Sequence, residues 1–143
     1  MNIRPMTLAD YEAVMALMAG TPGIAMRAAD SPEAIGRYLA RNPELSLVAE
    51  ADEELIGCVF CGHDGRRGTL HHVVVAPARR GQGIGRALVE QALDGLAALG
   101  IYKTHLDVFA DNEPALAFWQ STGWQRRGDI VRFSFNRSDD ANI

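Results

Sequence analysis

The run Val73-Val74-Val75-Ala76-Pro77-Ala78-Arg79-Arg80-Gly81-Gln82-Gly83-Ile84-Gly85-Arg86-Ala87-Leu88 holds three local structures in succession. The valines form a β-branched run too short for a helix, and Pro77 stops it. Paired arginines and a loop with glycine at every second position follow. Beyond the loop, Ile84, Leu88, Val89, Ala92, Leu93 and Leu96 recur at three- and four-residue steps, the mark of an amphipathic helix. The glycine loop therefore joins a strand to the N-terminus of a helix.

That arrangement predicts an anion site. The first helical turn carries backbone N–H groups without intrahelical partners, and the aligned peptide dipoles add partial positive charge there. Gly81, Gly83 and Gly85 have no Cβ, so a phosphate can come close to the main chain. Arg80 and Arg86 flank the loop and suit bidentate contacts to phosphate oxygens. The competing reading, a glycine-rich surface turn with solvated arginines, needs all these features to coincide by accident. Other phosphate loops fit poorly. No Gly-Lys-Ser or Gly-Lys-Thr is present for a P-loop, and Arg86 stands where a dinucleotide fingerprint requires its last glycine.

On these residues the chain resembles the GNAT superfamily of acyl-CoA-dependent N-acyltransferases. Arg80-Gly81-Gln82-Gly83-Ile84-Gly85 matches that family's R-x-x-G-x-G/A pyrophosphate loop, and Val73 to Pro77 matches the strand that leads into it. Leu106-Asp107-Val108, then Asn112, Ala115, Phe118, Gly123 and Trp124, are similar to its L-x-V…N-x-x-A…F-x-x-x-x-G-[FW] segment. The likeness spans essentially the whole chain and is weakest before Leu45. It implies acetyl-CoA as co-substrate, with Arg80, Gly81, Gln82, Gly83, Ile84, Gly85 and Arg86 around the diphosphate. Main-chain groups of Val73, Val74 and Val75 would take the pantetheine and thioester, with Asn112 and Phe118 also in contact with the coenzyme. A backbone N–H of that strand is the implied oxyanion donor; losing one such donor typically costs about 3 kcal/mol of barrier.

Composition bounds the alternatives. With 143 residues there is room for one domain, read as 1–137 with a flexible tail over 138–143. A net charge of −4 with only short basic runs argues against a nucleic-acid partner. No apolar run approaches the roughly 20 residues of a membrane span, and Met1 to Pro5 lacks a signal-peptide core, so the expected compartment is cytoplasmic. Cys58 and Cys61, with His63, His71, His72 and His105 elsewhere, invite a redox or zinc reading. The cysteines fall within a strand, however, where residues three apart face opposite ways. A buried, reduced pair without metal is the expectation.

Taken in order, Thr7 with Asp10 opens a helix through Tyr11, Val14, Met15 and Met18, and Ser31-Pro32 opens another with Ile35, Tyr38 and Leu39 inward. From Leu45 the period changes to that of strands: Leu45–Ala51, Leu55–Gly62 and Thr69–Val75, joined by the Asp52-Glu53-Glu54 turn and the Asp64-Gly65 hairpin loop. After the long helix, Lys103–Val108 is a parallel strand, Asn112 caps a short helix ending at Gly123, and Trp124–Arg127 with Ile130–Phe135 forms a last hairpin. The order β-α-α-β-β-β-α-β-α-β-β predicts an α/β (α+β) fold, a mixed, mostly antiparallel sheet of about seven strands with helices on both faces. By resemblance, the strands ending at Val75 and Val108 splay apart to admit the pantetheine arm.

Acetyl transfer to an amine requires a base and a proton for the departing thiolate. An ordinary alkylammonium titrates near 10.4, so holding it neutral at pH 7 costs about 4–5 kcal/mol without help. His71 and His72 precede the valines and titrate in a useful range, but strand alternation sends adjacent residues to opposite faces, so at most one is expected to face the acceptor. Asp64 and Asp107 are weaker candidates. Trp119 stands where many relatives carry an acidic tyrosine; an indole N–H is a hydrogen-bond donor only, so it reads either as a wall of the acyl site or as a packed aromatic. Asn112 reads as a helix cap and, by resemblance, as a coenzyme contact. Acceptor choice would fall to the Thr21–Asp30 loop, where Arg27 either holds a carboxylate or is simply solvated, and to the last hairpin. The leading reading is an N-acetyltransferase acting by direct attack on acetyl-CoA, with a primary amine of a small molecule, amino acid or peptide as acceptor. The alternative is a non-catalytic acyl-CoA-binding or sensing domain. Homodimers are common in this family, and nothing in the residues fixes the oligomeric state.

Overall fold

The computed structural model describes residues 1–143. At its centre is the meander that the alternating stretch after Leu45 predicts. Strands β1 (Asn2–Pro5), β2 (Leu47–Ala51), β3 (Glu54–His63) and β4 (Gly68–Val75) pair antiparallel in chain order, and β5 (Thr104–His105) joins β4 in parallel. Asp52 and Glu53 take left-handed φ values of 53° and 65°, the tight hairpin geometry whose twist suits the flanking strands. At the next turn Asp64 Oδ1 accepts the Arg66 and Arg67 amides at 2.8 and 2.9 Å, so this carboxylate is committed to holding the loop.

Helices α1 (Tyr11–Ala19) and α2 (Pro32–Arg41) cover one face, and α3 (Ile84–Ala98) covers the other. The caps read from the sequence are present. Asp10 accepts the Thr7 amide at 2.8 Å, Ser31 Oγ accepts the Ala34 amide at 3.2 Å, and Asn112 Oδ1 accepts the Ala115 amide at 3.2 Å to start α4 (Glu113–Ser121). Asp10 also pairs with Arg4, which holds its carboxyl below the usual range.

Alternation along the strands splits the core in two. Leu47, Ala49, Val59, Cys61 and Leu70 meet Ile84, Leu88, Ala92 and Leu96 of α3, while Val48, Cys58, Phe60 and Val74 meet Val14, Met18 and Ile35. Cys58 and Cys61 thus lie in opposite layers, as strand spacing requires, and both are buried and free. Gly68 is where β3, β5 and α3 close in: a Cβ there would lie 2.6 Å from Leu96 Cδ1.

The sheet has five strands, not about seven. The expected strand over Lys103–Val108 is reduced to Thr104–His105, and neither Trp124–Arg127 nor Ile130–Phe135 is a strand. A short β5 explains the rest, because a two-residue strand offers almost no edge on which a further hairpin can pair, and an isolated hairpin is marginal in water. Val131, Phe133 and Phe135 are accordingly exposed, while Trp124 stays packed: its backbone N–H donates to the Trp119 carbonyl at 3.0 Å, and its ring contacts the α3 layer.

Candidate functional site

The short β5 also makes the site. Pairing of β4 with β5 ends at Thr69↔His105, and the two chains then diverge. A cleft of about 550 Å³ opens between Leu70–Val73 on one side and Leu106–Phe109 on the other, bounded by Gly23–Ala25 and by Asn112, Ala115 and Trp119. This is the divergence expected of the strands ending at Val75 and Val108, begun earlier than the sequence suggests.

The most consequential feature of the cleft lies in β4. Cys58 pairs with Val74 but Phe60 pairs with His71, so two steps on β3 face three on β4. One residue is extra, and His72 adopts a left-handed φ of 49°. The bulge overturns the expectation that His71 and His72 face opposite ways. Their ring centroids are 6.5 Å apart, and both line the cleft. His71 lies edge-on to Tyr38 at 6.0 Å, and crowding lowers its proton affinity, with the neighbouring His72 adding to the effect. His72 lies edge-on to Phe60 at 5.8 Å, and its Nε2 is 3.0 Å from Asp30 Oδ1.

Asp30 is the residue near the cleft that sequence reasoning missed. It ends a single 3-10 turn, Ala28–Asp30, and its side chain is only 9% exposed. Its Oδ2 accepts the Arg27 amide at 2.9 Å, and the Tyr11 hydroxyl donates to its carbonyl at 2.6 Å. The signal was faint: an acid three residues after Arg27, in the position of a capping acid but without a capping residue type before it. The Arg27 side chain reaches only the adjacent Met26 carbonyl, at 3.4 Å.

The other expected residues divide between the cleft and its upper end. Val73 lines the cleft, Val74 is buried under α1, and Val75 packs against the α3 layer beside Gly85. Arg80, Gly81, Gln82, Gly83 and Arg86 are exposed around the start of α3, and Ile84 is buried as its anchor. Gly83 is the N-cap residue with φ 78° and no side-chain cap, so the amides of the first turn of α3 are open to an external acceptor. Phe118 leans over Gly85, with Cζ 3.8 Å from where a Cβ would be. Asn112 spends its oxygen on the α4 cap, and its Nδ2 lies beside Gly23 at the cleft, 3.2 Å from where a Cβ would sit. Trp119 lines the cleft and packs edge-on against Phe118 and Trp124, each at 5.0 Å. Asp107 lines it too, paired with Arg132. None of Tyr11, Tyr38 and Tyr102 reaches the cleft.

Chemically, the arrangement offers uncapped helix amides for an anion at one end of β4 and imidazoles beside a buried carboxylate in the middle of it. No helix is long and apolar enough to cross a membrane.

Known proteins share this fold. An acetyltransferase of Pectobacterium atrosepticum is 36% identical over 126 residues, covering 87% of this chain and 88% of the relative. Among solved structures, the PaiA N-acetyltransferase of Thermoplasma acidophilum in complex with coenzyme A has the same fold, with a TM-score of 0.76 at 22% identity over 85% of this chain and 87% of that one. An aminoglycoside 6'-N-acetyltransferase of Acinetobacter haemolyticus superposes with a TM-score of 0.69 at 22% identity, over 96% of this chain and 100% of that one. Residues 13–124 match the acetyltransferase (GNAT) family, and the chain belongs to that family as an acyltransferase.

Proposed function

We propose that the protein transfers an acetyl group from acetyl-CoA to a primary amine by direct attack of the amine on the thioester. The observation that carries the reading is the juxtaposition along β4 of the uncapped α3 N-terminus and the cleft lined by His71 and His72. The diphosphate takes the amides from Gly81 to Gly85, with Arg80 and Arg86 beside it. The pantetheine arm then runs down the gap between β4 and Leu106–Phe109, with Asn112 Nδ2 as a donor to it. The thioester reaches the bulge, where the ladder is interrupted and a backbone N–H of β4 can face the developing oxyanion. Trp119 forms a wall of the acyl site.

The amine attacks the carbonyl carbon, the C–N bond forms, and the carbonyl electron pair moves to oxygen. Collapse breaks the C–S bond, and the proton lost by the amine nitrogen passes through a cleft imidazole to the thiolate. The second reading, a domain that binds acyl-CoA without transfer, is favoured by the absence of a tyrosine acid from the cleft. Calorimetry with acetyl-CoA followed by thiol-release assays over amines, amino acids and peptide N-termini separates the two. Binding with turnover supports transfer, binding without turnover of any amine supports the sensing domain, and no binding rejects both.

A further inference from the structure

We propose that Asp30 is a positioning residue that fixes the His72 imidazole as its Nε2–H tautomer, so that the Nδ1 lone pair is the base that accepts the acceptor amine's proton. This rests on the acetyl-transfer reading and deepens it by naming which histidine moves the proton and what aims it.

An ionised carboxylate only accepts hydrogen bonds, and Asp30 already accepts the Arg27 amide at Oδ2, 2.9 Å. The 3.0 Å contact of Oδ1 with Nε2 therefore takes its hydrogen from the ring. In a neutral imidazole that leaves Nδ1 without a proton, and no protein group bonds to it. The backbone serves the same end. His72 is the extra residue of the bulge, and it lines the cleft at a φ of 49°, a left-handed value that a residue other than glycine adopts only at a cost. Three contacts hold it there: the Asp30 bond, the edge of Phe60 at 5.8 Å, and the Cys58 thiol on its carbonyl at 3.7 Å.

His71 lacks such an anchor; it touches Tyr38 edge-on and makes no side-chain hydrogen bond. Asp107 and Arg132 also line the cleft, but they pair with each other and remain largely exposed. Asp30 is thus the carboxylate bonded to an imidazole here. During transfer, Nδ1 takes the proton from the attacking nitrogen as the C–N bond forms. The resulting imidazolium, stabilised by Asp30, returns that proton to the sulfur as the C–S bond breaks. One proton moves twice, the ring ends neutral, and no acidic tyrosine is required.

The test uses the full chain with 15N-labelled histidine. In Asp30→Asn the side-chain oxygen stays on the Arg27 amide, so the NH2 group faces Nε2 and drives the ring proton onto Nδ1. We expect the His72 nitrogen shifts to report Nε2–H in the wild type and Nδ1–H in the variant. For the amine with the fastest turnover, kcat should fall about 100-fold or more while KM for acetyl-CoA stays within about twofold. Asp30→Glu should restore the Nε2–H form and part of the rate. His72→Asn, which tolerates a left-handed backbone, should lose as much as Asp30→Asn, and the double variant no more than either. An Nδ1–H ring in the wild type, or unchanged kcat in Asp30→Asn, overturns the assignment of Asp30 while leaving acetyl transfer intact. Binding of acetyl-CoA without turnover of any amine instead overturns the transfer reading, and the base role falls with it.

Discussion

β3 and β4 lie side by side and share a ladder, yet over Cys58–Cys61 the first alternates strictly while the stretch of β4 opposite breaks step; the irregularity of β3 lies elsewhere, at Ile56, on its pairing with β2. On β3, Cys58, Val59, Phe60 and Cys61 go alternately to the two core layers. On β4, an extra residue places His71 and His72 together in the cleft. The alternating stretch of β3 has both faces buried, so a slip there would move apolar side chains out of both layers at once. The bulge of β4 falls between buried Leu70 and Val74, at His71 and His72, which face the cleft and not a packed layer, and there the irregularity serves to re-aim side chains.

The sharpest contrast should be in reactivity. Burial pushes both thiols of β3 up to about 12, so a disulfide reagent at pH 8 should label native Cys58 and Cys61 about a thousandfold more slowly than the denatured chain. Rapid labelling of either residue would mean that the layers are not closed as described. On β4, removing the imidazole at the bulge by His72→Asn should lower kcat by about 100-fold or more, read by thiol release. An equal loss from the His71 variant alone, with His72 unaffected, would shift the role to the other ring.

How much of this was legible depends on what encodes it. The glycine loop leading into α3 could be read from residues 80–86 because glycine is visible in a sequence, and Gly81 and Gly83 take the left-handed φ of 78° that favours it. Caps at Ser31 and Asn112 were equally plain, since a cap is a local hydrogen bond between residues three apart. The bulge was not legible. His72 is not a glycine, and its left-handed backbone is fixed by Asp30, 42 positions away in sequence, and by Phe60 from the next strand. The final hairpin was misread for a related reason. Alternation over Ile130–Phe135 signals strand propensity, but pairing needs an edge, and β5 ends at His105.

Two smaller effects separate the upper end of β4 from its middle. Arg80→Glu should weaken coenzyme binding about tenfold or more by calorimetry, yet leave the His72 tautomer as it is. A tautomer change in that variant would mean that the two ends are coupled. Asn112→Ala should cost about 1 kcal/mol of stability through the lost α4 cap, measured by denaturant titration, together with a modest loss of coenzyme affinity. Smallest of all, Trp119→Tyr should leave coenzyme affinity within about twofold, since a ring of similar breadth still walls the cleft.

In the mechanism proposed above, the amides at the start of α3 hold a diphosphate while the thioester lies against the bulge of β4. A crystal structure of the acetyl-CoA complex tests it most directly. Diphosphate oxygens are expected on the amides between Gly81 and Gly85, and the acetyl carbonyl between Val73 and Trp119. A coenzyme seated away from the α3 N-terminus, or a diphosphate there with its arm directed outside the cleft, would contradict it.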